Sequence, residues 1–452
     1  MASAATPPNA PASSPGPLDR LLGLFSDVRP GEGGTAVLLL VNLFLLLVGY
    51  YILKTVREPL ILATGGAEMK AYASAGQALT LMVFVPLYGW LGSKVDRLKL
   101  IIFVLLFFIV DIEAFYFGAQ LGVRYLGFAF FIFVGIFSLA SIAQFWAYAN
   151  DLYSKPVGER LFPIIAIGAT AGSPVGSWIA EKLFEAGVHL YNMLQITVVL
   201  LVVHLLLYWM VNRREAGRGG QARAVAQSPL SGKGGFGLVL SSPYLRLIAL
   251  LLVLLNIVNT TGEYIVGRLA VAAATAAAAA DPAVSKEAFI GSFYGSYFFW
   301  VNIAAVLIQA FLVSRIVKYL GIAGVILALP IVALGAYSVI ALGASFAVVR
   351  WAKTAENATD YSIMNTARQL LWLPTTREEK YKAKQAVDTF FVRTGDLISA
   401  GIVFVGTSWL ALGVEGFAVT NVVLVLAWLA VAGLLLREHR RVVARSQRAE
   451  AA

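Results

Sequence analysis

The chain has 452 residues, of which 59% are hydrophobic and 13% charged. Soluble domains carry about 25% charged residues, so this balance marks an integral membrane protein. The sequence contains no cysteine, which excludes disulfides and thiolate metal sites, and its three histidines lie too far apart for metal-ligand spacing. The net charge of +10 sits in short loops and at the C-terminal end, so no nucleic-acid partner is expected.

Residues 1–17 are mostly Ala, Pro and Ser, which predicts disorder, and they lack the basic start and cleavage site of a signal peptide. Residues 18–28 alternate charge with Leu and Phe at helical spacing and predict a short helix on the cytoplasmic membrane surface. Twelve apolar runs of membrane-crossing length follow, at 35–61, 71–92, 98–119, 124–149, 160–186, 191–211, 244–268, 287–313, 321–343, 346–372, 383–411 and 416–436. Basic loops fall at 93–99, 153–160, 212–233, 314–319, 377–384 and 437–448. The loops between them, such as 120–124, 187–190 and 412–415, are poor in Lys and Arg. The positive-inside rule then puts both termini in the cytoplasm.

The polar stretch 212–243 is the only long linker. It divides the chain into a tail with a surface helix (1–33), a six-helix half (34–211), a second six-helix half (244–437) and a basic tail (438–452). This predicts an all-α membrane protein of twelve spans with the architecture of the major facilitator fold. The stretch GSKVDRLK is similar to that superfamily's loop between helices 2 and 3, with Asp96 and Arg97 in its Asp and Arg places. A basic loop that merely obeys topology is the competing reading. The alanine-rich run 270–280 predicts a helical extension or a loop outside the membrane.

The ionisable residues inside the apolar runs are the informative ones, because each must find a partner or a watery cavity. In span 1, Lys54, Arg57 and Glu58 share a helix face. They make either an anion site or an internal Lys54–Glu58 pair with Arg57 snorkelling to the interface. In span 10, Lys353, Glu356, Asn357 and Asp360 form one stripe. Glu356 and Asp360 could share a proton or cation, or be neutralised by Lys353 or by a basic residue on another helix. Span 7 carries Asn256, Asn259, Thr260 and Glu263, and Glu263 has the best claim to the cavity. Asn256 reads as interhelical glue. In span 11, Asp396 could serve transport or pair with Arg393. In span 4, Tyr148 could stack on a planar ring, although aromatics near an interface are more often belt residues. Gly168, Gly172 and Gly176 in span 5 predict close helix packing. No enzyme signature, cofactor motif or metal site is present in the sequence.

Three blocks resemble the non-mitochondrial ATP/ADP translocase family, the nucleotide exchangers of plastids and intracellular bacteria. They are ILKTVREPLIL, FWAYANDLYSKPVGERLFPIIAIGATAGS (145–173) and TDYSIMNTARQLLWLPTTREEKYKAKQAVDTFFVRTGD (359–396), and the likeness keeps helix order from about Leu18 to Glu438. The resemblance implies a bacterial inner-membrane antiporter of nucleotides, and a monomer is expected. Within it, Lys54, Arg57 and Glu58 take the charged places of helix 1. Two departures bear on the site: Val134 stands where the exchangers carry a glutamate, and Asp396 follows Gly395 where they carry a lysine. The sequence therefore leads to a secondary transporter of an anionic small molecule, possibly ATP/ADP. In it Lys54, Arg57, Glu58, Tyr148, Asn259, Glu263, Lys353 and Asn357 bind substrate, and Glu356, Asp360, Asp396, Asp96 and Arg97 serve coupling or gating. A proton-coupled transporter of an unrelated small molecule, using the same fold, and a non-transporting membrane subunit are the alternatives.

Overall fold

A computed structural model of the protein describes residues 16–23, 26–92, 94–216, 234–376 and 378–451. The regular elements among them are all helical. The expected disordered tail falls almost wholly on residues 1–15, outside this set, as does most of the linker, residues 217–233.

The predicted surface helix is shorter than its pattern suggested. Helix α1 is Pro17–Leu22, and residues 26–32 are not helical. The carboxylate of Asp19 accepts the N–H groups of Gly31 (2.9 Å) and Gly33 (3.0 Å), so the chain folds back and closes the start of the next helix. Leu22 is buried by this turn.

Ten helices among the described residues are long and apolar enough to cross a membrane, which makes this a multi-pass membrane protein. Two of the twelve expected spans, 35–61 and 71–92, lie in one element, α2 (Gly33–Gly92), interrupted only at Gly66. Gly66 has φ 70°, a left-handed value that glycine adopts without a Cβ clash. The expected loop between those spans is thus a one-residue kink. Helices α3 (Arg97–Gln120), α4 (Leu126–Leu152), α5 (Lys155–Glu185) and α6 (Leu190–Ala216) complete the first half.

The short α7 (Gly235–Ser241) lies within the expected linker, and its Phe236 packs on Phe390 and Phe391 at 5.0 and 5.7 Å. Helix α8 (Pro243–Ala280) takes in the alanine run, and α9 is Lys286–Phe311. In α10 (Val313–Ala341) the expected basic turn is helical and the break falls at Gly321.

Span 346–372 becomes α11 (Phe346–Thr359), a π-helical turn (Asp360–Met364) and α12 (Asn365–Leu371); its polar stripe keeps it out of the ten. Span 383–411 begins as two π-helical turns, Glu379–Ala383 and Val387–Phe391, around α13 (Lys384–Ala386). It continues as α14 (Val392–Ser408). Helix α15 (Val414–Ala451) carries straight through the expected C-terminal tail.

Glycines set the closest packing. A Cβ at Gly168, Gly172 or Gly176 of α5 would lie 2.2, 2.6 or 2.7 Å from the carbonyl oxygens of Leu40, Phe44 and Val48. Only glycine lets α5 and α2 meet at this range, as the small-residue spacing predicts. The same device joins the halves. A Cβ at Gly295 of α9 would sit 2.8 Å from the Glu181 backbone of α5, and one at Gly291 would sit 2.5 Å from the Phe184 ring. Since α5 ends and α9 begins here, this contact lies at the end of the bundle where α2 kinks at Gly66.

Candidate functional site

The charged groups of α2 meet those of the second half in one network. Glu58 is fully buried. Its Oε1 accepts from Arg57 Nη2 at 2.6 Å and Nε at 3.1 Å, and its Oε2 lies 2.7 Å from Lys70 Nζ. Lys70 reaches into the other half, 3.6 Å from Glu263 Oε2 on α8, and donates to Tyr294 Oη on α9 at 3.3 Å. Glu263 Oε1 also accepts from Asn357 Nδ2 at 3.0 Å and Tyr297 Oη at 3.3 Å. Four elements from both halves therefore share two carboxylates and two cations near the Gly66 end.

The alternative of an internal Lys54–Glu58 pair does not hold, because Lys70 occupies the position a lysine partner would take. Arg57 does not snorkel. It is held by Glu58 and lies 4.1 Å over the Phe131 ring. Lys70 escaped the sequence reading because it follows a glycine pair that resembles a loop. Its place, one turn beyond Gly66, was the available signal.

Lys54 is different. It is buried, and among the described residues it has no carboxylate partner. Its Nζ lies 4.2 Å over the Phe298 ring, 5.0 Å from Tyr51 and 5.7 Å from Tyr361, and donates to Tyr361 Oη at 3.4 Å. Tyr361 belongs to the second half and is 41% exposed, so the hydroxyl that meets this ammonium stands on the open side of a side chain from the other half. Aromatic faces and one hydroxyl offset only part of the burial penalty of a full charge. Among the described residues, this leaves the Lys54 ammonium with no matching carboxylate.

The second half holds its own pair. Lys353 Nζ lies 2.8 Å from Glu356 Oε2, and both groups meet Tyr337 Oη, at 3.1 and 3.0 Å. Lys353 also donates to Asn259 Oδ1 at 3.4 Å. Asp360 is matched separately, 3.6 Å from Arg368. Glu356 and Asp360 thus each have their own cation, the alternative left open by the sequence. Asp396 accepts from Thr260 Oγ1 at 2.8 Å and lies 3.5 Å from Arg393. Asn256 donates to the Val392 carbonyl at 2.9 Å, as expected of glue between helices.

The remaining residues lie elsewhere. Tyr148 is buried in the first half, edge-on to Tyr208 at 5.0 Å. Val134 is fully buried there too. Asp96 caps α3, accepting from the backbone of Leu98 and Lys99 at 3.2 and 3.3 Å. The side chain of Arg97 lies outside the described residues.

The bundle has the fold of major-facilitator-like transporters. It superposes on the crystal structure of the nucleoside transporter NupG with a TM-score of 0.63 at 13% identity, covering 89% of this chain and 98% of that one. It superposes on a bacterial homologue of the iron transporter ferroportin in an inward-facing state with a TM-score of 0.61 at 16% identity, covering 90% and 98%. At these identities the likeness shows the fold alone.

Among curated proteins, the chain is similar to ADP,ATP carrier protein 1 of Chlamydia muridarum. The two are 23% identical over 331 residues, 63% of this chain and 60% of the relative. ADP,ATP carrier protein 1 of Chlamydia trachomatis serovar D is 22% identical over 307 residues, 58% and 56%. The chain thus matches less than two thirds of the length of either relative. No protein-family model matches the sequence.

Proposed function

We propose that this protein is a secondary transporter of twelve spans, in two six-helix halves at 34–211 and 244–437. It moves an anionic small molecule, a nucleotide or another phosphorylated metabolite, by exchange or ion-coupled alternating access. Its place is the bacterial inner membrane, as a monomer with both ends in the cytoplasm. The observation that carries this reading is Lys54, a buried cation between the halves with no carboxylate of its own among the described residues. A phosphate there would supply the missing charge, and Tyr361 would hold the open side. Arg57, Glu58, Lys70, Glu263 and Asn357 form the lock that shuts the outer end, which by topology is the Gly66 end. Lys353, Glu356, Asn259, Asp360 and Asp396 keep the second half neutral around the passage. The names of the relatives, carriers of ADP and ATP, agree with this substrate class.

Counterflow tests the proposal. Purified protein in liposomes preloaded with ATP should take up labelled nucleotide faster than empty liposomes do. Lys54→Gln should reduce that uptake at least about tenfold, the loss expected when one charge-assisted contact is removed. If preloading never accelerates uptake for any nucleotide or organic phosphate, and none of them binds, the proposal fails.

A further inference from the structure

A cavity of about 210 Å³ lies between the halves, apart from the charged lock. The first half contributes an apolar wall from α2 and α4, in which Phe84 and Tyr88 stack at 5.7 Å and 20° beside Leu139. The second half contributes Asp388, Thr389 and Arg393, a carboxylate, a hydroxyl and a guanidinium side by side. Asp388 and Thr389 sit in the π-helical turn Val387–Phe391, a winding that recurs at functional sites.

These polar groups have binding capacity to spare. Asp388 is exposed and, among the described residues, enters no ion pair or hydrogen bond, although the charges of Lys384, Arg368 and Arg393 act on it. Among the described residues, Arg393 makes a single ion-pair contact, to Asp396 at 3.5 Å, and it has five N–H donors. A flat apolar wall facing one strong acceptor and one strong donor fits a planar ring with N–H and acceptor atoms on its edge. The cavity is smaller than the roughly 300–1,000 Å³ of drug-sized pockets, which suits one ring rather than a whole nucleotide. A phosphate is the wrong occupant, since it would face the Asp388 carboxylate. Tyr50, one turn before Lys54 on α2, feels the charges of both Arg57 and the cavity-lining Arg393.

The geometry points to this cavity as the subsite for a nucleobase-like ring of the substrate. Asp388 accepts from the ring's N–H, Arg393 donates to its acceptor edge, and Phe84 and Leu139 cover its face. The assignment rests on the anionic-substrate reading and extends it: Lys54 takes the charged end and the cavity takes the neutral end.

Titration of the full-length purified protein with ATP and with inorganic triphosphate separates the two ends. The wild type should bind ATP more tightly than triphosphate. Asp388→Asn should weaken ATP at least about tenfold and leave triphosphate unchanged. Ala143→Phe, which fills the cavity from α4 without touching a charge, should give the same pattern. Lys54→Gln should weaken both ligands. The ring subsite is overturned if the wild type binds triphosphate as tightly as ATP, or if both cavity variants leave the ATP preference intact; the anion site survives either result. Binding of neither ligand to the wild type overturns the anion site and the subsite together.

Discussion

At the scale of single residues, partnership decides what each buried charge does. Glu58 lies between Arg57 and Lys70, so its removal leaves two buried cations facing each other. Glu58→Gln should therefore destabilise the protein by about 3–5 kcal/mol, the range for breaking a buried ion pair. Lys54 has no carboxylate to orphan. Lys54→Gln should leave thermal stability unchanged or raise it, because it removes an uncompensated buried charge. Thermal unfolding of the two variants in detergent checks the contrast, and equal losses would contradict it. Lys54 and Glu58 were visible in the sequence because ionisable groups stand out in an apolar run. Their partners were not. Lys70 lies in a segment resembling a loop, and the hydroxyls of Tyr297, Tyr337 and Tyr361 belong to a residue type that reads as packing or interface belt. Which cation meets which carboxylate depends on how helices from two halves face each other, and no local pattern encodes that.

At the scale of elements, small features of the chain decide how helices start and meet. The backbone N–H of Gly31, with those of Gly33 and Gly16, holds the Asp19 carboxyl below the ordinary value of 3.8, against the opposing effect of burial. A lowered folded-state pKa means that this contact contributes fully above the ordinary value and is lost as pH falls through the folded one. The α1 fold-back should thus hold at neutral pH and open only below about pH 3.8. Amide exchange at Gly31 and Gly33 reports it, and Asp19→Asn should exchange rapidly already at pH 7.

Gly172 makes a second test. A Cβ there would meet the Phe44 carbonyl oxygen at 2.6 Å, whereas at Gly335 nothing lies within 4 Å. Gly172→Ala should cost about 1–3 kcal/mol by overpacking, and Gly335→Ala should gain about 0.5–1 kcal/mol from backbone entropy. Unfolding midpoints moving the same way would refute this. Helix positions and the glycine ridge were legible from hydrophobic and small-residue spacing. The merging of two spans at Gly66 was not, since one left-handed residue leaves no compositional trace. The same holds for the π-helical turns, which carry no motif.

At the scale of the molecule, two unlike contacts join the halves near the Gly66 end, a glycine seam between α5 and α9 and the ion pair of Lys70 with Glu263, beside further contacts such as Tyr264 Oη to Glu68 at 2.9 Å. The seam cannot lengthen by side-chain motion, whereas the lock can. Glu263→Gln should loosen the lock by roughly 1 kcal/mol, about a fivefold shift toward a state open at that end. Because the chain has no cysteine, the single substitution Ala67→Cys gives a clean probe there. Ala67 is buried, against the place of Gly267. A membrane-impermeant maleimide should label Ala67→Cys faster when Glu263→Gln is also present. An unchanged labelling rate would separate the lock from opening.

The solitary charge of Lys54 has a consequence for turnover. Sealing the passage around an unbalanced ammonium strands that charge in a low-dielectric interior, so the vacant protein resists closure on both sides. On the transporter reading proposed above, a bound anion would remove the surplus and let the rocking proceed. Each crossing would then need a passenger, inward or outward, and the vacant return leg would be the slow one. One-for-one swapping would outrun net accumulation, a bias that needs no gate beyond the arithmetic of a single missing carboxylate.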